Sequence, residues 1–103
     1  MYYTYILKSL SQRGAIYIRY TDNLRVRLTQ HNSIKNNGVT KCYQPWDIET
    51  YVGFTNAQEA KEFEKYLKSN SGKAFMHKRL LSKEFVLALK KFNNGRGNKI
   101  SVA

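Results

Sequence analysis

Two tyrosine-rich stretches near the N-terminus constrain this chain more than any other feature. YYTYILKS (residues 2–9) and AIYIRY (15–20) are rich in aromatic and β-branched residues, and both alternate with period two. The SLSQRG that overlaps and follows the first stretch supplies turn residues, so the spacing predicts an antiparallel hairpin. Tyr3, Tyr5 and Leu7 then share one face of the first strand. On the second strand Ala15, Tyr17 and Arg19 share a face, with Ile16 and Ile18 opposite. Gly14 reads as a turn glycine, because no phosphate-cradling glycine pattern surrounds it.

A helix is expected from about residue 23 to 32, capped by Thr21 or Asp22. On a wheel of about 100° per residue, Leu24, Leu28 and His31 fall on one stripe and Arg27 borders it. Arg25 lies on the other flank and Val26 points outward. A solvated helix does not normally set a cation and an imidazole beside its anchoring leucines. Either Arg27 packs its stem and keeps its head in water, or it is held beneath the sheet to meet an anion. A guanidinium suits bidentate phosphate contact better than an ammonium does.

Residues 33–46 read as a polar loop, punctuated by Asn36-Asn37-Gly38 and by Pro45, with Trp46 closing the core. A third strand over 48–54 places Ile48, Thr50, Val52 and Phe54 on one side. Asn56 caps the next helix, with Glu59 as its capping-box partner, and this helix runs to about Ser69, where SNSG ends it. Its buried stripe is Ala60, Phe63 and Leu67, and of its three acids only Glu64 borders that stripe. A carboxylate there requires a cation, either Lys68 at i+4 or a metal. One or two further helices follow in GKAFMHKRLL and KEFVLALKKF, and residues 93–103 read as a mobile basic tail. The expected fold class is α+β: one domain over residues 1–92, with a small three-stranded antiparallel sheet flanked by helices in the order β-β-α-β-α-α.

Charge narrows the partner class. The chain carries 18 Lys and Arg against seven Asp and Glu, a net charge of +11, and its pI is about 9.9. From residue 65 onward Glu84 is the sole acid. This balance favours a polyanion such as nucleic acid. No segment approaches the roughly 18 apolar residues of a membrane-spanning helix, and the N-terminus does not read as a signal peptide. Cys42 is the single cysteine, which excludes an internal disulfide and a cysteine-based zinc site. A cytoplasmic location is the default expectation.

The combination of Tyr3-Thr4-Tyr5, Tyr17-Ile18-Arg19, Arg27, His31 and Glu64 resembles the GIY-YIG endonucleases over roughly residues 2–80. The similarity is to the family's small single-domain members and to the N-terminal nuclease domain of the excision-repair nuclease UvrC. The resemblance implies that Tyr5 is the tyrosine of the first motif and Tyr17 that of the second. It makes Arg27 the catalytic arginine and Glu64, within EKYLK, the single metal-binding glutamate. His31 matches a position that is often histidine. The implied chemistry is hydrolysis of phosphodiester bonds with one Mg²⁺ (or Mn²⁺) ion, on DNA rather than RNA, in DNA repair or processing. A separate protein partner would supply targeting. The expected catalytic set is thus Tyr5, Tyr17, Arg27, His31 and Glu64. The expected nucleic-acid contacts are Arg19, Arg25, Lys68, Lys73, Lys78 and Arg79.

This chain departs from the family at Arg19, where the motif has glycine. Two readings follow. In one the chain is an active nuclease and Arg19 adds a phosphate contact. In the other it is a catalytically impaired nucleic-acid-binding module, in which Arg19 fills the space above the site or pairs with Glu64 in place of the metal.

Overall fold

The computed structural model describes residues 1–87; the tail and the later part of KEFVLALKKF lie outside them. The hairpin forms as expected, from β1 (Tyr2–Ser9) and β2 (Ile16–Thr21), paired antiparallel with Tyr5 opposite Arg19 and Leu7 opposite Tyr17. Gly14 has φ 92°, a left-handed conformation that costs glycine little, and this closes the turn. The Ser9 hydroxyl accepts from the Gln12 amide at 2.9 Å and donates to the Tyr43 carbonyl at 2.6 Å, so it ties the turn to the later loop.

The first helix, α1 (Leu24–His31), is capped by Asn23, whose Oδ1 accepts from the Val26 amide at 3.1 Å. This corrects the expected cap. Thr21 instead accepts from the Asn23 amide and folds the chain into that cap, and Asp22 lies exposed between them. A short 3₁₀ turn (Lys41–Tyr43) interrupts the loop before β3 (Trp46–Phe54). β3 pairs antiparallel with β1 on the side away from β2, giving a sheet of order β2-β1-β3.

β3 does not keep one alternation along its length. Ile6 pairs with Thr50 but Leu7 pairs with Ile48, so Glu49 is an extra residue, a β-bulge. Before the bulge Trp46 and Ile48 pack with Tyr5 and Leu7. After it Thr50 donates to the Leu80 carbonyl and Phe54 packs on Phe63, both on the other side of the sheet. The expected single face of Ile48, Thr50, Val52 and Phe54 is therefore split between Ile48 and Thr50.

α2 (Ala57–Leu67) and α3 (Asn70–Arg79) cover that other side. Asn56 caps α2 by accepting from the Glu59 amide at 2.9 Å. SNSG joins the two helices rather than separating them. Ser69 caps α3 through the Gly72 amide at 3.1 Å, so α3 starts at Asn70. A Cβ on Gly72 would lie 1.7 Å from the Tyr66 carbonyl oxygen, so the two helices approach here as only glycine permits. Residues 83–87 are again helical, and Ser82 Oγ accepts from the Phe85 amide at 3.1 Å.

The sheet thus has a core on each side. Ile6, Ile16 and Ile18 bury against Leu67, Met76, Leu81 and Phe85. Tyr5, Leu7 and Trp46 bury against Tyr17, Leu24, Leu28, Tyr43 and Ile48. Fully burying one such aliphatic side chain contributes about 1.5–3 kcal/mol, and Leu67 at 1% exposure is such a residue. Among the described residues no helix is long and apolar enough to cross a membrane.

Candidate active site

The second core carries the chemistry. Leu24 and Leu28 seat α1 against Tyr5, Leu7 and Trp46, and the helix repeat then brings His31 down onto the same surface. His31 is 7% exposed and both its ring nitrogens are engaged. Nε2 lies 3.2 Å from the Tyr5 hydroxyl, and Nδ1 lies 3.1 Å from Oγ1 of Thr40. The Tyr17 ring meets the imidazole edge-on, with centroids 4.7 Å apart. Burial first, and then the positive charges of Arg27 and Arg19, lower the His31 pKa from 6.5 to about 4. The ring is therefore neutral at pH 7, with one nitrogen donating and the other accepting.

Tyr5 is 1% exposed. Burial raises its pKa above the ordinary value of 10.0, and the Arg27 guanidinium at its hydroxyl offsets part of that rise. Its proton thus stays on at neutral pH. Arg27 itself is half-buried and donates through Nη1 to Gln30 Oε1 at 3.0 Å. Its guanidinium lies at the Tyr5 hydroxyl, and its charge acts on His31. Arg19 is exposed, sits directly opposite Tyr5 across the ladder, and acts electrostatically on both Tyr5 and His31.

The loop that reads as featureless polar sequence holds this arrangement in place. Thr40 is 4% exposed; its Oγ1 also accepts from Asn36 Nδ2 at 2.8 Å, and its carbonyl accepts from the Trp46 indole at 2.9 Å. Asn36 and Gln44 side chains both donate to the His31 carbonyl, at 3.0 and 2.6 Å. Thr40 and Asn36 are the residues that the pattern of the sequence does not reveal. Their partners are remote, and a Thr or Asn in a loop carries no periodicity to read.

Glu64 is placed differently. It lies on α2, which packs on the opposite side of the sheet from α1, as the Thr4 hydroxyl bonded to the Ala60 carbonyl at 2.6 Å shows. Its side chain is 12% exposed, and Oε2 pairs with Lys68 Nζ at 2.9 Å. Arg19 does not take that place. Of the basic residues expected to contact nucleic acid, Arg19 belongs to β2 and Arg25 to α1, while Lys73, Lys78 and Arg79 belong to α3 and Lys68 follows α2. They are spread over both layers rather than gathered in one patch.

Residues 1–79 match the family model described as the GIY-YIG catalytic domain. The chain belongs to the GIY-YIG family. Among curated proteins it is similar to the structure-specific endonuclease subunit SLX1 of Podospora anserina, with 33% identity over 69 residues, 62% of this chain and 20% of that protein. The chain therefore spans about a fifth of the length of that relative.

GIY-YIG domains generally use a divalent metal. The donor set present here fits a hard, well-hydrated ion. Among the described residues no three His, Cys, Asp or Glu side chains cluster as a ligand cage. Glu64 offers one carboxylate, with Oε2 engaged by Lys68. Mg²⁺ is commonly held by one or two carboxylates while keeping several waters and taking substrate oxygens, whereas a structural zinc requires a fuller protein set.

Proposed function

We propose that this chain is a metal-dependent endonuclease that hydrolyses phosphodiester bonds in DNA. The observation that carries this reading is the gathering of Arg27, Tyr5, Tyr17 and His31 on one side of the sheet in a GIY-YIG domain. Arg27 and Arg19 supply two guanidiniums where a phosphate would otherwise be desolvated without compensation, and the net charge of +11 favours its approach. Arg27 stabilises the charge that gathers on the non-bridging oxygens.

The two tyrosines have distinct duties in this reading. Tyr17 is half-buried and reaches solvent, so it orients the attacking water. Tyr5 keeps its proton and holds His31 and Arg27 in position. His31, neutral and bonded on both nitrogens, positions rather than titrates. By the resemblance Glu64 would hold a Mg²⁺ or Mn²⁺ ion, which when bound supplies neutralisation of phosphate charge and stabilisation of the leaving oxygen. In this structure Glu64 is paired with Lys68 on a helix across the sheet from α1, so it would have to exchange that partner for the ion.

DNA as substrate rests on the resemblance of the tyrosine motifs to the nuclease domain of UvrC, and on the charge. A role in DNA repair or processing, in the cytoplasm and with a partner protein for targeting, belongs to the same reading. The relative's designation as a structure-specific endonuclease subunit supports selection of DNA by shape rather than by sequence.

Two observations favour the second reading, a binding module without catalysis: Glu64 is already paired with Lys68, and Arg19 stands where the family has glycine. Labelled DNA incubated with Mg²⁺, with Mn²⁺ and with chelator separates the two. Metal-dependent nicking that Glu64→Gln abolishes supports the nuclease. Tight binding with no nicking under any metal supports the module.

A further inference from the structure

α1 covers only part of its side of the sheet. Its leucines pack with Tyr5, Leu7, Trp46 and Ile48, while Arg19, Tyr51 and Gly53 remain exposed. The ladder register sets out how these exposed residues are arranged. Tyr5 pairs with Arg19 on one side and with Tyr51 on the other, so Arg19, Tyr5 and Tyr51 form one row across all three strands. Directly paired antiparallel residues project to the same face. The row therefore runs from an exposed arginine, over the tyrosine of the site, to a tyrosine that is 55% exposed.

Tyr51 is not a loose surface ring. Tyr3 meets it edge-on, with centroids 5.7 Å apart and planes at 76°. Tyr3 in turn lies against Gly53, where an added Cβ would stand 3.4 Å from the Tyr3 ring. Strand propensity alone accounts for a tyrosine at this position. It does not account for a buttressed ring left open to solvent in the same row as Tyr5 and Arg19.

We propose that Tyr51, buttressed by Tyr3, is a stacking site for an unpaired base of the DNA strand whose phosphate is held by Arg19 and Arg27. The proposal deepens the nuclease reading and rests on it. Two strand spacings separate Tyr51 from Arg19, about 10 Å, a distance that a nucleotide and its neighbour bridge. An arginine at the far end of the row and the excess of basic residues select a polyanion over an apolar protein segment. A base in a duplex keeps its faces stacked on its neighbours, so only an unpaired or flipped base can offer a face to a ring. The row then favours DNA that presents an unpaired base.

The test measures binding by the full chain without metal, so it does not depend on cleavage. The probes are a 2-aminopurine base in a single-stranded flap and the same sequence as a blunt duplex. Tyr51→Ala should weaken flap binding roughly 5- to 150-fold, abolish the quenching of 2-aminopurine, and leave duplex binding unchanged. Tyr51→Phe, which keeps a stacking face, should bind the flap as wild type does. Equal losses on flap and duplex, or no loss on either, would overturn the proposal. A wild type that nicks DNA while Tyr51→Ala binds the flap normally would sink the stacking site and leave the nuclease intact. A wild type that binds no DNA of either form would overturn both.

Discussion

The Tyr5 hydroxyl lies 3.2 Å from Nε2 of His31, a hydrogen bond across 26 residues that joins the first strand to the end of the first helix. It is buried at both ends, and its imidazole is held neutral well below the usual titration range by burial and by two arginines. The unfolded chain takes up that proton near pH 6.5, whereas the folded chain resists until about pH 4. The stabilisation from a neutral His31 is therefore complete above pH 6.5 and is lost as pH falls towards 4. Melting temperatures of wild type and His31→Gln at pH 7, 6, 5 and 4 check this. The advantage of wild type should shrink through that window, and a constant difference would mean that folding leaves the proton affinity of the ring unchanged.

Tyr5→Phe and Tyr17→Phe should separate in their effects. Removing the Tyr17 hydroxyl should lower single-turnover cleavage about 100-fold or more, the scale of a positioned group acting on the nucleophile. Removing the Tyr5 hydroxyl leaves His31 Nε2 without a partner and should cost about 1 kcal/mol of stability, with a smaller loss in rate. Equal rate losses, or a larger loss for Tyr5→Phe, would exchange the two roles.

Lys68 and a metal ion would compete for the Glu64 carboxylate. Glu64→Gln should remove metal-dependent cleavage while DNA binding persists. Lys68→Met should free Oε2 and tighten Mn²⁺ binding, measured by calorimetry in the absence of DNA. Undiminished cleavage by Glu64→Gln, or in excess chelator, would remove Glu64 from the metal.

Arg19→Gly restores the family's residue. With Arg19 as a phosphate contact, the variant should bind DNA more weakly, and its slope of log K against log salt should flatten by about 0.9 on duplex. A variant that cleaves DNA where wild type does not would instead make Arg19 a block.

Gly72→Ala should destabilise by about 3 kcal/mol, the upper range for overpacking, because the new methyl meets the Tyr66 carbonyl. A thermal melt checks this, and Ala74→Gly, an exposed site on the same helix, serves as control for propensity alone.

What can be read from the sequence follows from periodicity. The hairpin and both helix stripes are local patterns with period two or 3.6. The set Tyr5, Tyr17, Arg27 and His31 is legible through the resemblance to GIY-YIG nucleases, and the structure brings those four residues together. The cap at Asn23 is not legible in advance, because three polar residues in succession can each start a helix. Thr40 and Asn36 stay hidden because their bonds close only when the loop folds back on His31. The status of Glu64 is legible as a choice between Lys68 and a metal, and the ion pair with Lys68 fills one side of that choice. The break in β3 escapes for a simpler reason: a bulge inserts one residue and leaves no compositional mark.

That inserted residue makes β3 a phase shifter. Glu49 spends one position without advancing the pairing, so a strand that begins by walling the tyrosine side finishes by walling the helical one. The inserted side chain is also anchored: Oε1 pairs with Lys8 at 3.1 Å and Oε2 accepts from the Ser82 amide at 2.6 Å. Deleting this single codon would restore plain alternation in the same register, with Ile48 still opposite Leu7 and Thr50 opposite Ile6, and would remove the anchor to Lys8 and Ser82. Drawing Glu49 into the ladder as a paired residue would do the opposite: Trp46 and Ile48 would turn to the back of the sheet, and Tyr17 and His31 would lose their floor.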